Sequence, residues 1–209
     1  MEALFLKGAG LGLAVAAPLG PIGALCIART LERGFAAGLS GGLGTALADA
    51  AYAAMAALGF AVFAGVLAVI DLPLRLAGGA FMLWLGLRGL RRTPPRAEAG
   101  IAIGARDLLG TVAATFLLTL ANPSTILSFA ALFAGLGLAS DAGPGAAGVV
   151  TAGVFCGSML WWTLLSGAVA ASRHRLPQGF TTWVARLSAL ILTGFGLWAI
   201  GSALRLLAT

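Results

Sequence analysis

Asp49 is the residue of this chain best placed to do chemistry. It lies in Gly44-Thr45-Ala46-Leu47-Ala48-Asp49-Ala50-Ala51-Tyr52, well inside a long apolar stretch, and it is the only acidic residue read as lying deep within one. An apolar surrounding disfavours the charged carboxylate, and a bound ammonium group favours it. A carboxyl group balanced between the two could exchange a proton for a cationic or amino-bearing solute. The alternative is a structural acid, protonated or hydrogen-bonded to broken backbone or to Tyr52.

Helix-breaking residues form the second chemical signal. Pro18, Leu19, Gly20 and Pro21 interrupt the first apolar stretch, and Asn122 followed by Pro123 interrupts the fourth. A proline inside a helix removes one backbone bond and crowds the carbonyl four residues earlier, so the carbonyls of Ala14, Ala17 and Thr119 are expected to be freed. Backbone broken at membrane depth is tolerated where protein buries it or where it lines a watery cavity. Prolines also kink membrane helices without lining any site, but an asparagine beside one of them can satisfy broken backbone and meet a polar ligand. Interrupted segments in corresponding places of two halves point to a transporter's binding site.

Other residue types carry less. Cys26 and Cys156 lie within apolar segments and read as small buried hydrophobes. His174 stands alone between Arg173 and Arg175 in a short connection. Trp161 and Trp162 are mid-span, where stacking on a substrate is the lesser reading, whereas Trp84, Trp183 and Trp198 suit interfacial belts. There is no Cys/His cluster with metal-ligand spacing, no phosphate-binding glycine loop followed by lysine, and no set of nucleophile, base and orienter. Neither an enzyme nor a cofactor is expected, and no metal site.

The elements that position Asp49 and the breaks follow from composition. Of 209 residues 60% are hydrophobic and 10% charged, with a mean hydropathy of +1.01, far from the quarter-charged soluble norm. This is the composition of an all-α integral membrane protein. Glycine at Gly38 and Gly42, and again at Gly153 and Gly157, gives small-residue helix faces that let backbones approach. Such faces could pack within one chain or between copies, so a homo-oligomer stays open.

At about 20 apolar residues per spanning helix, the chain reads as six spans: roughly 4 to 27, 36 to 65, 74 to 90, 108 to 138, 146 to 171 and 184 to 207. The second stays apolar as far as Ile70, with a tilt, a kink at Gly59 or a short extra turn as alternatives. The first residues are not read as a cleavable signal. Arg29, Arg33, Arg88, Arg91, Arg92, Arg96, Arg106, Arg173, Arg175 and Arg186 fall on one side of this arrangement, and only Lys7, Arg75 and Arg205 on the other. The positive-inside bias places the first, third and fifth connections in the cytoplasm and both termini outside. The net charge of +6 is therefore topological, and nucleic acid is not an expected partner. The connection over 91–107, with Pro94, Pro95 and Glu98, separates a first half (1–90) from a second (108–209) within one transmembrane domain. Three spans per half give opposite orientations, hence two inverted three-helix repeats.

Taken together, Ala17-Pro18-Leu19-Gly20-Pro21-Ile22-Gly23, Arg33-Gly34, the glycines leading to Asp49, Arg88 to Arg92, and Asn122-Pro123 resemble the LysE (lysine exporter) translocator family over nearly the whole chain. The resemblance implies a bacterial inner-membrane exporter of amino acids or related small metabolites, driven by the proton-motive force. By the same resemblance the family's Pro-Gly-Pro element falls on Gly20 and Pro21, with Pro18 an additional break, and its acidic residue of the second helix on Asp49. Basic-amino-acid exporters often follow Gly-Pro with Gln-Asn, where this chain has Ile22-Gly23. That puts lysine or arginine export in question and leaves a neutral amino acid or an unrelated metabolite open.

The sequence thus predicts a secondary transporter that moves a small amino-bearing solute outward by alternating access. Asp49 is its proton or amine partner, and Pro18, Gly20, Pro21, Asn122 and Pro123 shape the substrate site. A metal-ion exporter is one alternative, without thiol or imidazole ligands near Asp49. A non-transporting scaffold that binds a partner or anionic lipid through its arginine-rich connection is another. A polar cavity around Asp49 would favour transport, and a dry packed centre the scaffold.

Overall fold

The computed structural model describes residues 1–18, 20–58, 60–91, 104–122, 125, 128–129, 144–172 and 178–208. Among them the chain is all-helical: α1 (Glu2–Ala16), α2 (Pro21–Arg33), α3 (Phe35–Leu58), α4 (Phe60–Arg91), α5 (Ala105–Leu120), α6 (Pro144–Ser172) and α7 (Gln178–Ala208). Among the described residues, stretches of α6 and α7 are long and apolar enough to cross a membrane alone. The bent pair α1 and α2 forms a third candidate span.

Two expected boundaries change. The stretch read as a first span over 4 to 27 is two helices whose axes differ by 81°. Pro21 opens α2 at a position where its missing N–H costs nothing, and α2 continues to Arg33, so Arg29 is helical. Gly34, with φ 89°, then reverses the chain at a left-handed value that favours glycine. The connection expected between Ile70 and position 74 is also absent. Helix α4 runs unbroken for 32 residues, Pro73 included, about 48 Å at the standard rise. The alternative of a kink at Gly59 falls outside the described residues, α3 ending at Leu58 and α4 beginning at Phe60.

Helix packing relies on missing side chains. Helix α1 lies on α6, α5 on α3, α3 on α6, and α4 on α7. A Cβ at Gly8 or Gly12 would overlap the backbone carbonyl of Val150 or Val154, and one at Gly153 or Gly157 that of Phe5 or Ala9. The α1–α6 seam is therefore backbone against backbone, as small-residue faces permit in lipid. The Gly38 and Gly42 face of α3 meets Thr30 with Ser166, and Trp162, respectively.

One local geometry occurs twice. Gly44 of α3 is pressed against the Val112 carbonyl and Phe116 N–H of α5, and Gly153 of α6 against the Phe5 carbonyl and Ala9 N–H of α1. In both cases the partners are residues i and i+4 of a helix that leads into a break. Asp49 follows Gly44 by five residues and Ser158 follows Gly153 by five, and these two side chains meet across the bundle, the Ser158 hydroxyl donating to Asp49 Oδ2 at 2.7 Å.

Candidate functional site

A cavity of about 290 Å³ lies where the two breaks meet α3 and α6. Its walls include Pro18, Gly20 and Pro21 from the α1–α2 break, Asn122 from the end of α5, and Asp49 with Thr45 from α3. Thus five of the six residues singled out in the sequence share one space. Pro123, the sixth, lies outside the described residues, as do Leu19 and His174.

Asp49 is 1% exposed. Its Oδ2 accepts from Ser158, and its Oδ1 has no hydrogen-bond partner among the described residues. A buried carboxylate oxygen left open costs free energy unless it is protonated or meets a donor. Tyr52, offered above as a partner for Asp49, donates instead to the Leu120 carbonyl in the last turn of α5. The carbonyl of Thr119, expected to be freed by Pro123, accepts from the Asn122 N–H at 3.2 Å. The end of α5 is thus tied to α3 by Tyr52, one turn after Asp49. Tyr52→Phe should destabilise the solubilised protein by about 1 kcal/mol through loss of that bond, which thermal unfolding in detergent will measure.

Several site residues were not singled out in the sequence. Thr45 precedes Asp49 by four positions and shares its helical face, a spacing that was legible. Ser158, Thr125, Ser128 and Phe195 carry no local signal. Trp162, for which stacking on a substrate is the lesser reading of the sequence, is 2% exposed and lines the cavity. Its indole N–H has no acceptor among the described residues. Thr111, Thr115 and Thr119 form a buried stripe along α5, each hydroxyl donating to the carbonyl four residues earlier at 2.8–3.0 Å. The stripe sets the Thr111 and Thr115 methyl groups against Gly41 of α3 and the Thr115 hydroxyl oxygen against Gly44, its polar atoms already bonded to the α5 backbone. Cys156, read as buried, is exposed on the outer face of α6, whereas Cys26 is buried; both are free thiols.

A larger cavity of about 650 Å³ lies further along α2. Arg29, Arg33, Arg88 and Arg106 line it together with Glu32 and Asp107. These arginines come from the first and third connections of the sequence reading, and the fold gathers them around one mouth. Residues Ile22 and Gly23 face the inner cavity and Leu25 and Ala28 the outer one, so a single helix runs from the charged mouth to Asp49.

The LysE type translocator family matches this chain over residues 13–202. Among individual proteins, it is 32% identical over 165 residues to the "Chemotactic transduction protein ChpE" of Pseudomonas aeruginosa, covering 77% of this chain and 79% of that one. It is 29% identical over 155 residues to the "Uncharacterized membrane protein YahN" of Escherichia coli, covering 73% and 69%. It is also 24% identical over 198 residues to the "Putative amino acid efflux protein YcgF" of Bacillus subtilis, covering 93% and 94%. No solved structure matches the chain significantly.

Proposed function

The chain belongs to the LysE type translocator family, and from that premise we propose that it exports an amino acid or a related small metabolite across the bacterial inner membrane, coupled to the proton-motive force. The observation that carries this reading is the cavity at the helix breaks, which holds a buried carboxylate with one oxygen open. In the proposed cycle Asp49 gives up a proton and takes the ammonium of the solute, then releases the solute on the far side as it is reprotonated. The bend at Pro18 to Pro21 and the break at Asn122 are the two places where the helices give way.

The reading includes six spans in two inverted repeats, with both termini outside. The repeated geometry at Gly44 and Gly153 supports it, because exchanging α1 with α5 and α3 with α6 preserves the packing pairs. The arginines collected around the outer cavity support a cytoplasmic mouth by the positive-inside bias. A cavity that reaches Asp49 and sets Thr45, Asn122, Thr125 and Ser128 in an otherwise apolar wall favours transport over a passive scaffold with a packed centre. A metal-ion exporter would need further ligands beside Asp49, and among the described residues no group of three or more His, Cys, Asp or Glu could hold an ion.

The test has two parts. An untargeted comparison of metabolites inside cells with and without the protein identifies the solute, expected to be amino-bearing. Purified protein in liposomes then carries that solute against its gradient when a pH difference is imposed, and a proton ionophore stops it. Unchanged metabolite pools together with no pH-driven flux would overturn the reading.

A further inference from the structure

Two residues that line the inner cavity carry buried hydrogen-bonding atoms of opposite kinds that lack partners among the described residues. Asp49 Oδ1 is an open acceptor and the Trp162 indole N–H an open donor. The first turn of α2 lines the same cavity. Because α2 opens on Pro21, its first N–H groups are those of Ile22 and Gly23, which have no acceptor within the helix. No side chain caps them, Gly20 occupying the cap position. The positive end of the helix dipole therefore opens into the same space as the carboxylate.

A molecule that carries a cationic donor and an anionic acceptor close together completes both sets with charge-assisted bonds. The rest of the wall is neutral. Ile22, Val15, Ala16 and Phe195 make it mostly apolar, Thr45, Asn122, Thr125 and Ser128 are polar but uncharged, and no second charged side chain lines the cavity among the described residues, so the remainder of the ligand is uncharged. The outer cavity points the same way. Its four arginines outnumber Glu32 and Asp107, and a mouth of that sign concentrates carboxylate-bearing solutes and disfavours doubly cationic ones.

We propose that the transported solute is a zwitterionic α-amino acid with an apolar side chain, its carboxylate received by the Ile22 and Gly23 N–H groups at the start of α2 and its ammonium by Asp49. The assignment rests on the exporter reading and narrows its substrate class.

Gly20→Asp tests it. Gly20 has φ −94°, which any residue adopts, and a Cβ there meets nothing within 4 Å. An aspartate at a helix cap accepts from the first-turn N–H groups and ordinarily stabilises the helix, so the variant fills the carboxylate site with its own charge while the fold stands. Binding to the purified full-length protein is measured with three probes: L-leucine, its decarboxylated counterpart isoamylamine, and L-lysine. Wild type should bind leucine at least about tenfold more tightly than either of the others, the scale of one charge-assisted hydrogen bond. In Gly20→Asp leucine should weaken by about tenfold or more while isoamylamine keeps or gains affinity. If wild type binds isoamylamine as tightly as leucine, or if Gly20→Asp leaves the preference for leucine intact, the carboxylate site is wrong while Asp49 as amine partner survives. If lysine binds as tightly as leucine, the apolar side-chain assignment is wrong. If wild type binds none of the three, the proposal and the amino-acid exporter reading fall together.

Discussion

Asp49→Asn should abolish pH-driven transport while leaving the bundle folded. Asparagine has nearly the shape of aspartate, and its amide oxygen can still accept the Ser158 hydroxyl now at Asp49 Oδ2. What it cannot do is carry charge or exchange a proton. A buried bond between ammonium and carboxylate that becomes one to a neutral amide loses about 3 kcal/mol, or about a hundredfold in affinity, and coupling to protons disappears altogether. The measurement is solute flux in liposomes under an imposed pH difference, alongside the thermal midpoint of the same preparation in detergent. A variant that transports as wild type does removes Asp49 from the mechanism. Ser158→Ala separates charge from geometry: it keeps the carboxylate and removes the donor to Oδ2, so it should retain proton coupling with a weakened apparent affinity.

Much of this site was legible before any fold was known, because its members violate the pattern around them. A carboxylate at position 49 in an alanine-rich apolar run, and prolines at 18, 21 and 123 within spans, are expensive in lipid unless something compensates. Their convergence follows from that shared cost. Ser158 and Trp162 obey the pattern instead. A serine in a membrane helix can bond its own backbone, and a tryptophan is apolar over most of its surface, so neither announces a partner, and their place beside Asp49 depends on which face of α6 meets α3. The end of the second span was misjudged for a related reason. The sequence reading sets a gap between its second and third spans over 66–73, yet α4 passes through it, Pro73 included, since a single proline removes only one backbone bond from a long helix. Cys156 was misplaced because periodicity is weak where every face is apolar: helix α6 offers lipid and protein nearly the same side chains.

Gly157→Leu should destabilise the protein by about 3 kcal/mol, at the upper end of what an overpacked contact costs, whereas Gly148→Leu on the same helix should not. Leucine is a good helix former, better than glycine by roughly 0.8 kcal/mol, and intrinsic propensity favours both substitutions equally. The difference lies in what the new side chain meets. A Cβ at Gly148 has nothing within 4 Å, but one at Gly157 overlaps the Ala9 carbonyl of α1. Backbone cannot swing aside as a side chain can, so α1 itself must retreat from α6. That helix ends at Ala16, next to the break whose Pro18 and Gly20 form the cavity wall, and its displacement pulls the wall away from Asp49. The expected result is a lower thermal midpoint and lost transport for Gly157→Leu, with both retained for Gly148→Leu. Equal behaviour of the two variants would mean that the α1–α6 seam does not set the position of the break. In that case the close approach of Gly8, Gly12, Gly153 and Gly157 would be incidental to the site, and the shape of the cavity would have to be fixed from the α3 side, by Gly42 against Trp162 and Gly44 against α5.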